Sequence, residues 1–369
     1  MTYREMNLRV FQRKPIPQIL FQPRIEPWFD LHRRKGDLPK DLIGLDVAGA
    51  YDALGLSMRY VHYFTGQPDP VERTFAKEVR VHSKTTERGG AQIIDTPHGQ
   101  LVTGYLEAGE AGCRIVDFPV KQPGDLKKLE WLFRNTRYSF NRSYFDQGSA
   151  FIGDRGQPQF WVPRSPYQSL SLEWMKFEDF VLALMDAPLE IEQVMKAIDD
   201  SYDDLFLQIV REGGPTIINF GENIDSNLLS PRFFERYHIP YYLKRSTPLR
   251  ESGIFTTVHL DGSIKSLLPY LKDLPFDGLE ALTPAPMGDA TLEEMKNRMG
   301  DKVLLDGIPA IFFIPPFTLE DVQRCVERII QLFAPRLVLG ISDEFPMAAG
   351  EEGIDRLKWV VDYCKQHEG

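Results

Sequence analysis

The sequence is short of cysteine, of long apolar runs and of basic charge, and each shortage removes a class of function. Only three cysteines occur in 369 residues. Cys113, Cys325 and Cys364 are far apart, with no Cys-x-x-Cys spacing. They cannot build a disulfide scaffold, they point to a reducing compartment, and they read as packing residues. No apolar run approaches the roughly 18 residues of a membrane span, and Met1 to Met6 lacks the apolar core of a secretory signal. The expectation is a cytoplasmic chain with no membrane partner. A formal net charge of -10 argues against a general nucleic-acid binder, which would carry a basic face. Tandem repeats and low-complexity segments are also missing.

What remains is ordinary globular composition, 43% hydrophobic and 26% charged, arranged in a regular alternation. Short apolar strands are expected at 217–220, 254–258, 278–282, 303–305 and 337–339. Each is followed by a helical pattern, at 230–250, 264–271, 291–299, 319–333 and 353–365. Ser230 with Pro231 is a helix start signal, and Thr291 with Glu294 forms a capping box. Upstream, strands are expected at 160–162 and 19–21, with helices at 173–186, 188–212 and 39–54. An eighth strand falls near Tyr60–Tyr63. Five strand–helix units in succession imply a parallel sheet buried on both faces. The reading is an α/β protein, a (β/α)8 TIM-type barrel, with an open doubly wound sheet second.

Residues 74–120 break the alternation. They read as antiparallel strands at 76–85, 91–95, 101–106 and 114–118, with turns at Arg88-Gly89-Gly90 and Pro97-His98-Gly99. With helices at 123–148, this gives one domain over 1–369 carrying an inserted hairpin and helical region at about 74–150.

Chemistry is expected where the strands stop. In a parallel barrel the C-terminal strand ends carry the active site, and three strands here end on polar side chains: His259 and Asp261, Glu280, and Asp343 beside Glu344. Each has a bland alternative. His259 is also placed to hold a neighbouring loop, Asp261 to cap a helix from Ser263, and Asp343 to form a turn before Pro346. Glu222 sits before the Ser230 helix start and could hold that loop. Arg24 and Arg164 follow predicted strands and are candidates to hold a substrate carboxylate.

The ordered blocks Gly221–Asp225, Leu229–Phe234, His259–Gly262, Gly278–Glu280, Gly288–Asp289, Leu304–Gly307 and Leu339–Asp343 resemble the uroporphyrinogen decarboxylase-like superfamily. The resemblance covers residues 155–369 well and 15–60 loosely, and it implies a TIM-type barrel. That group includes corrinoid-linked methyltransferases and is related to cobalamin-independent methionine synthase. True uroporphyrinogen decarboxylases carry an Arg-Gln-Ala-Gly-Arg segment that grips substrate carboxylates. In the corresponding stretch here, Phe21 to Trp28, only Arg24 matches that role.

The zinc methyltransferases of the group use a His-x-Cys strand end and a second Cys near the last strand, with a Glu between them in methionine synthase. The resemblance implies His259 for the His, Asp261 and Asp343 (or Glu344) for the thiolates, and Glu280 for the Glu. Carboxylates in place of thiolates favour a Lewis-acidic zinc that polarises an ether, hydroxyl or amine. The resulting expectation is a metal-dependent methyltransferase moving a methyl group from a small donor, such as a methyl ether, to a corrinoid protein. Glu222 and Asp306 are the catalytic candidates, Glu222 as proton donor, and Phe312 is expected to line an apolar donor pocket. Expected partners are the methyl donor and a corrinoid protein, with a second copy of the chain as a further candidate. The alternatives are a cofactor-free decarboxylase of the uroporphyrinogen type and a non-catalytic binding protein on the same barrel.

Overall fold

The computed structural model describes residues 1–107 and 113–369. The chain divides into two compact units. The first comprises Met1–Pro70, Arg142–Val162 and Gly214–Gly369, and the second Val71–Asn141 and Pro163–Gly213.

The first unit is built on a seven-stranded sheet. Its strands follow the order Leu20–Phe21, Leu337–Ser342, Val303–Pro309, Gly278–Glu280, Phe255–Leu260, Ile217–Ile224 and Trp161–Val162. Every pairing is parallel, and the first strand of the chain lies beside the last. Apolar runs such as Val303–Leu305 and Leu337–Leu339 are buried throughout, as a sheet covered on both faces requires. The expected strand near Tyr60–Tyr63 is reduced to a single parallel bridge between Tyr60 and Gln159. Its segment still has backbone bonds on two sides. Ser57 N–H donates to Phe21 at 3.1 Å, while Val61 N–H donates to Gln159 at 2.9 Å.

Helix starts follow the sequence signals. Thr291 and Thr318 head capping boxes, and the Ser230 hydroxyl accepts from Phe233 N–H. The pattern at 264–271 forms a 3-10 helix, Lys265–Asp273, because Pro269 inside it has no N–H to give to an α-helical ladder. The 39–54 pattern splits into Lys40–Leu42 and Val47–Leu54, the latter capped by Asp46. Helices Tyr3–Phe11 and Glu26–Lys35 were not legible. Tyr3–Phe11 turns Met6, Val10 and Phe11 onto Leu20, Ile217, Val303, Leu305 and Val338, closing one end of the sheet interior with apolar side chains.

In the second unit, strands Arg80–Thr86, Gly89–Thr96, Gly99–Glu107 and Cys113–Asp117 form an antiparallel sheet. The expected helical region 123–148 is instead helix Pro123–Arg134 and strand Thr136–Phe140 here, and helix Arg142–Ile152 in the first unit. That strand alternates β-branched or aromatic residues with polar ones and pairs antiparallel with Val71–Phe75. The 188–212 pattern is two helices, Pro188–Ser201 and Asp203–Glu212, and 173–186 becomes helix Phe177–Asp186 after a π turn. Among the described residues no helix is long and apolar enough to cross a membrane.

Candidate active site

The C-terminal ends of the parallel strands depart from regular backbone together. Asn223, Ala281, Asp306 and Asp343 adopt φ values of 54°, 58°, 79° and 68°. Positive φ costs a non-glycine residue about 1–3 kcal/mol and clusters where function demands it. Here the kinks break strand alternation, so that residues adjacent in sequence turn toward one polar cluster.

At its centre Glu280 is fully buried and saturated. Arg59 and the Tyr60 hydroxyl donate to its Oε1, and the Asn219 amide donates to its Oε2. His259 Nδ1 lies 3.1 Å from the same Oε2. Burial alone would raise the Glu280 pKa, but the Arg59 charge and the His259 contact hold it well below the ordinary range. Arg59, itself 1% exposed, also grips Asp306 with two bonds, 2.8 Å to Oδ1 and 3.2 Å to Oδ2. Asp306 accepts from Ala281 N–H at 3.1 Å as well. Gly340 makes room for that carboxylate, since a Cβ there would stand 2.3 Å from Asp306 Oδ1.

Above this layer His259 turns its second nitrogen outward. Nε2 is buried, has no hydrogen-bond partner, and stands 3.9 Å from Asp343 Oδ1. Asp343 is held by buried Arg24, Nη2 to Oδ1 at 2.8 Å, yet stays 46% exposed at its side chain. The Tyr63 hydroxyl donates to Glu344. Burial raises the pKa of Asp261, and the Asp343 charge adds to that. Glu344 is also raised by burial and by Asp343, with Arg24 opposing. Trp161 stacks on Tyr60 at 3.8 Å between centroids and meets Tyr63 edge-on at 5.1 Å, forming an aromatic wall.

Glu26 lies behind this wall of charge. It is fully buried, and the nearby Tyr51 hydroxyl donates to the Pro23 carbonyl at 2.9 Å. Burial pushes its pKa up to about 7.

The structure thus brings Arg24, His259, Asp261, Glu280, Asp306 and Asp343 into one charged network. The remaining candidates have contacts of their own. Glu222 is buried beside Tyr242, whose phenol it helps to push up in pKa after burial. Phe312 packs on Phe317 at 4.9 Å, and its carbonyl accepts from Arg356. Arg164 belongs to the second unit, where it is paired with Glu173 at 2.6 Å.

The residues at hand do not fit zinc as a four-ligand set. Glu280 has no free lone pair direction and sits on Nδ1 of His259, whereas Asp343 sits on Nε2 and is tied to Arg24. Among the described residues no three His, Cys, Asp or Glu side chains are arranged to hold a metal ion. What the arrangement offers is acid–base chemistry. An anionic carboxylate fixes the imidazole through one nitrogen and leaves the other to meet a reacting atom.

A family model described as Uroporphyrinogen decarboxylase (URO-D) matches residues 170–366, more than half of the chain. The protein belongs to the uroporphyrinogen decarboxylase (URO-D) family. Its fold is similar to that of a methyltransferase from Methanosarcina mazei, at 14% identity over 98% of this chain and 99% of that one, with a TM-score of 0.60. Weaker likenesses are to a B12-independent methionine synthase from Shewanella sp. W3-18-1 in complex with selenomethionine (12% identity, 86% and 83% covered, TM-score 0.47). A putative vitamin-B12 independent methionine synthase from Listeria monocytogenes gives 12% identity, 95% and 96% covered, and a TM-score of 0.45. No curated protein matches the chain in sequence.

Several site residues of this URO-D family protein escaped the sequence reading: Arg59, Tyr60, Asn219 and Glu26. Two carried a usable signal. Asn219 interrupts an otherwise apolar strand, Ile217–Phe220, and Arg59 stands inside the apolar pattern Leu56–Val61. A polar group inside a buried strand demands a partner, and both prove to bind Glu280.

Proposed function

We propose that this URO-D family protein is a methyltransferase that moves a methyl group from a small neutral donor, such as a methyl ether, to a corrinoid carried by another protein. The observation that carries the reading is His259. Its Nδ1 is held by Glu280, and its Nε2 is buried and free at the strand ends. Similarity of fold to the Methanosarcina methyltransferase over nearly the whole of both chains supports it. The backbone bonds on both sides of 57–61 likewise support a sheet closed as a (β/α)8 barrel, the fold that puts such a site at its mouth.

A reduced corrinoid on the partner would supply the nucleophile that takes the methyl group. The chain's own residues then deal with the leaving group. As the methyl carbon–oxygen bond breaks, its electron pair stays on oxygen, and the Nε2 proton of protonated His259 passes to that oxygen. Glu280 remains anionic through Arg59 and stabilises the imidazolium from the Nδ1 side. Asp343 stands on the Nε2 side at 3.9 Å. Tyr63 and Trp161 give the donor an apolar wall.

Decarboxylation of a porphyrin-type polycarboxylate is the weaker reading. Arg24 and Arg59, the two buried guanidinium groups of the network, are already paired with Asp343, Glu280 and Asp306. Arg24 keeps an unpartnered Nε, so one guanidinium at most is left for a substrate that carries several carboxylates.

The deciding experiment incubates purified protein with a panel of methyl ethers and a reduced corrinoid protein and follows methyl transfer spectroscopically, with His259→Gln in parallel. Transfer that is lost in the variant supports the proposal. Carbon dioxide release from uroporphyrinogen without methyl transfer would replace it with decarboxylation. One equivalent of zinc in active protein would replace proton delivery by Lewis-acid activation. Inactivity with every donor and with uroporphyrinogen would favour a binding protein.

A further inference from the structure

At the opposite ends of the same strands the charge is reversed. A cavity of about 230 Å3 is lined by Arg13, Arg250, Lys272, Lys302 and Arg336, with Asp277 and Asp301 as its only carboxylates. These groups sit just before the strands: Asp277 before Gly278, Lys302 before Val303 and Arg336 before Leu337. A parallel sheet gathers all such helix-to-strand connections at one edge, so the cavity lies at the strand starts and the His259 cluster at the strand ends.

Five cations against two carboxylates leave a surplus of three. Both carboxylates are already engaged. Asp277 accepts from Thr256 N–H at 2.8 Å and faces Arg250 at 3.4 Å, while Asp301 pairs with Arg336 and stands 3.9 Å from Arg13. Lys272 has no ion-pair partner among the described residues. Lys302 spends two of its three N–H donors on the carbonyls of Leu274 (2.7 Å) and Phe276 (3.0 Å), leaving the third. Burial and then the Arg250 charge push its pKa down to about 8, against the opposing charges of Asp277, Asp273 and Asp301. Helix C-termini account for Arg250 and Lys272 but not for half-buried Lys302.

We propose that this cavity binds a compact polyanion, a phosphate ester or a di- or tricarboxylate, held by Arg13, Arg250, Lys272 and Lys302. The volume is below the ~300–1,000 Å3 typical of sites for larger organic ligands, which restricts the occupant to a small one. The surplus of three charges favours a multiply charged anion over chloride. The site is separate from the His259 cluster and does not depend on the reaction proposed there.

Calorimetric titration of the full chain at pH 7 and low ionic strength, with inorganic phosphate and citrate as separate probes and chloride as control, tests this. One site per chain is expected for at least one probe, weakened at least tenfold in Arg250→Ala/Lys272→Ala and by high salt. Preference for phosphate identifies a phosphate ester as the ligand class, and preference for citrate a polycarboxylate. Lys272→Glu, at an exposed position, serves as a second variant should the double one fail to fold. Binding of neither probe, or wild-type affinity in the folded variant, would overturn the proposal.

Discussion

His259 is held between two carboxylates of opposite character, 3.1 Å from buried Glu280 through Nδ1 and 3.9 Å from half-exposed Asp343 through Nε2. The buried side fixes the ring, and the open side is where a substrate can arrive. If Nε2 delivers the proton to the leaving group, His259→Gln lowers kcat for methyl transfer by about 10²–10⁴-fold. The loss is largest for donors with the poorest leaving groups and small for an activated donor. A uniform loss across donors, measured as initial rates over a leaving-group series, would remove His259 from that role.

Glu280 ties Arg59, Tyr60, Asn219 and His259 together, so its removal leaves buried donors without their acceptor. Glu280→Ala is expected to destabilise the first unit by about 3–5 kcal/mol, the usual consequence of orphaning a buried charge. Glu280→Gln keeps the shape but not the charge and is expected to fall between. Chemical denaturation midpoints order the three proteins, and equal midpoints would contradict the network described.

Much of this was legible because parallel strands leave a strong mark. Apolar runs such as Val303–Leu305 end on polar residues, and the placing of His259, Glu280 and Asp343 at one edge follows from that pattern alone. Ion-pair competition was not legible. Arg24 takes up Asp343, and Arg59 takes up Glu280 and Asp306 from a segment with almost no strand pairing of its own. The surroundings of Glu222 follow from strand periodicity. Strand alternation continues through Phe220 to Glu222, which puts it beside Tyr242, while the kink at Asn223 comes one residue later.

Glu26 gives the protein a pH signature. Its folded pKa is raised to about 7 from an ordinary 4.5. Between those values the folded chain keeps a proton that the unfolded chain has lost, so stability falls as pH rises from about 4.5 to 7 and then levels off. The full effect is at most on the order of 3 kcal/mol for this fully buried group. Glu26→Gln is expected to remove that slope and to be the more stable protein at pH 8, as read from denaturation curves across the range. An unchanged slope in the variant would show that Glu26 is ionised in the folded state.

Gly340 is the closest backbone approach to the charged network. A methyl group there would lie 2.3 Å from Asp306 Oδ1 and 3.2 Å from the Gln22 carbonyl, and the latter is backbone that cannot swing aside. Gly340→Ala is therefore expected to cost about 1–3 kcal/mol, as overpacking does, and to loosen the Arg59–Asp306 pair. Gly350→Ala, in the same unit with nothing within 4 Å of the added carbon, is the control and should shift the melting temperature little. If the two variants melt together, the space beside Asp306 is larger than its contacts imply, and Arg59 is held by Glu280 rather than by both carboxylates.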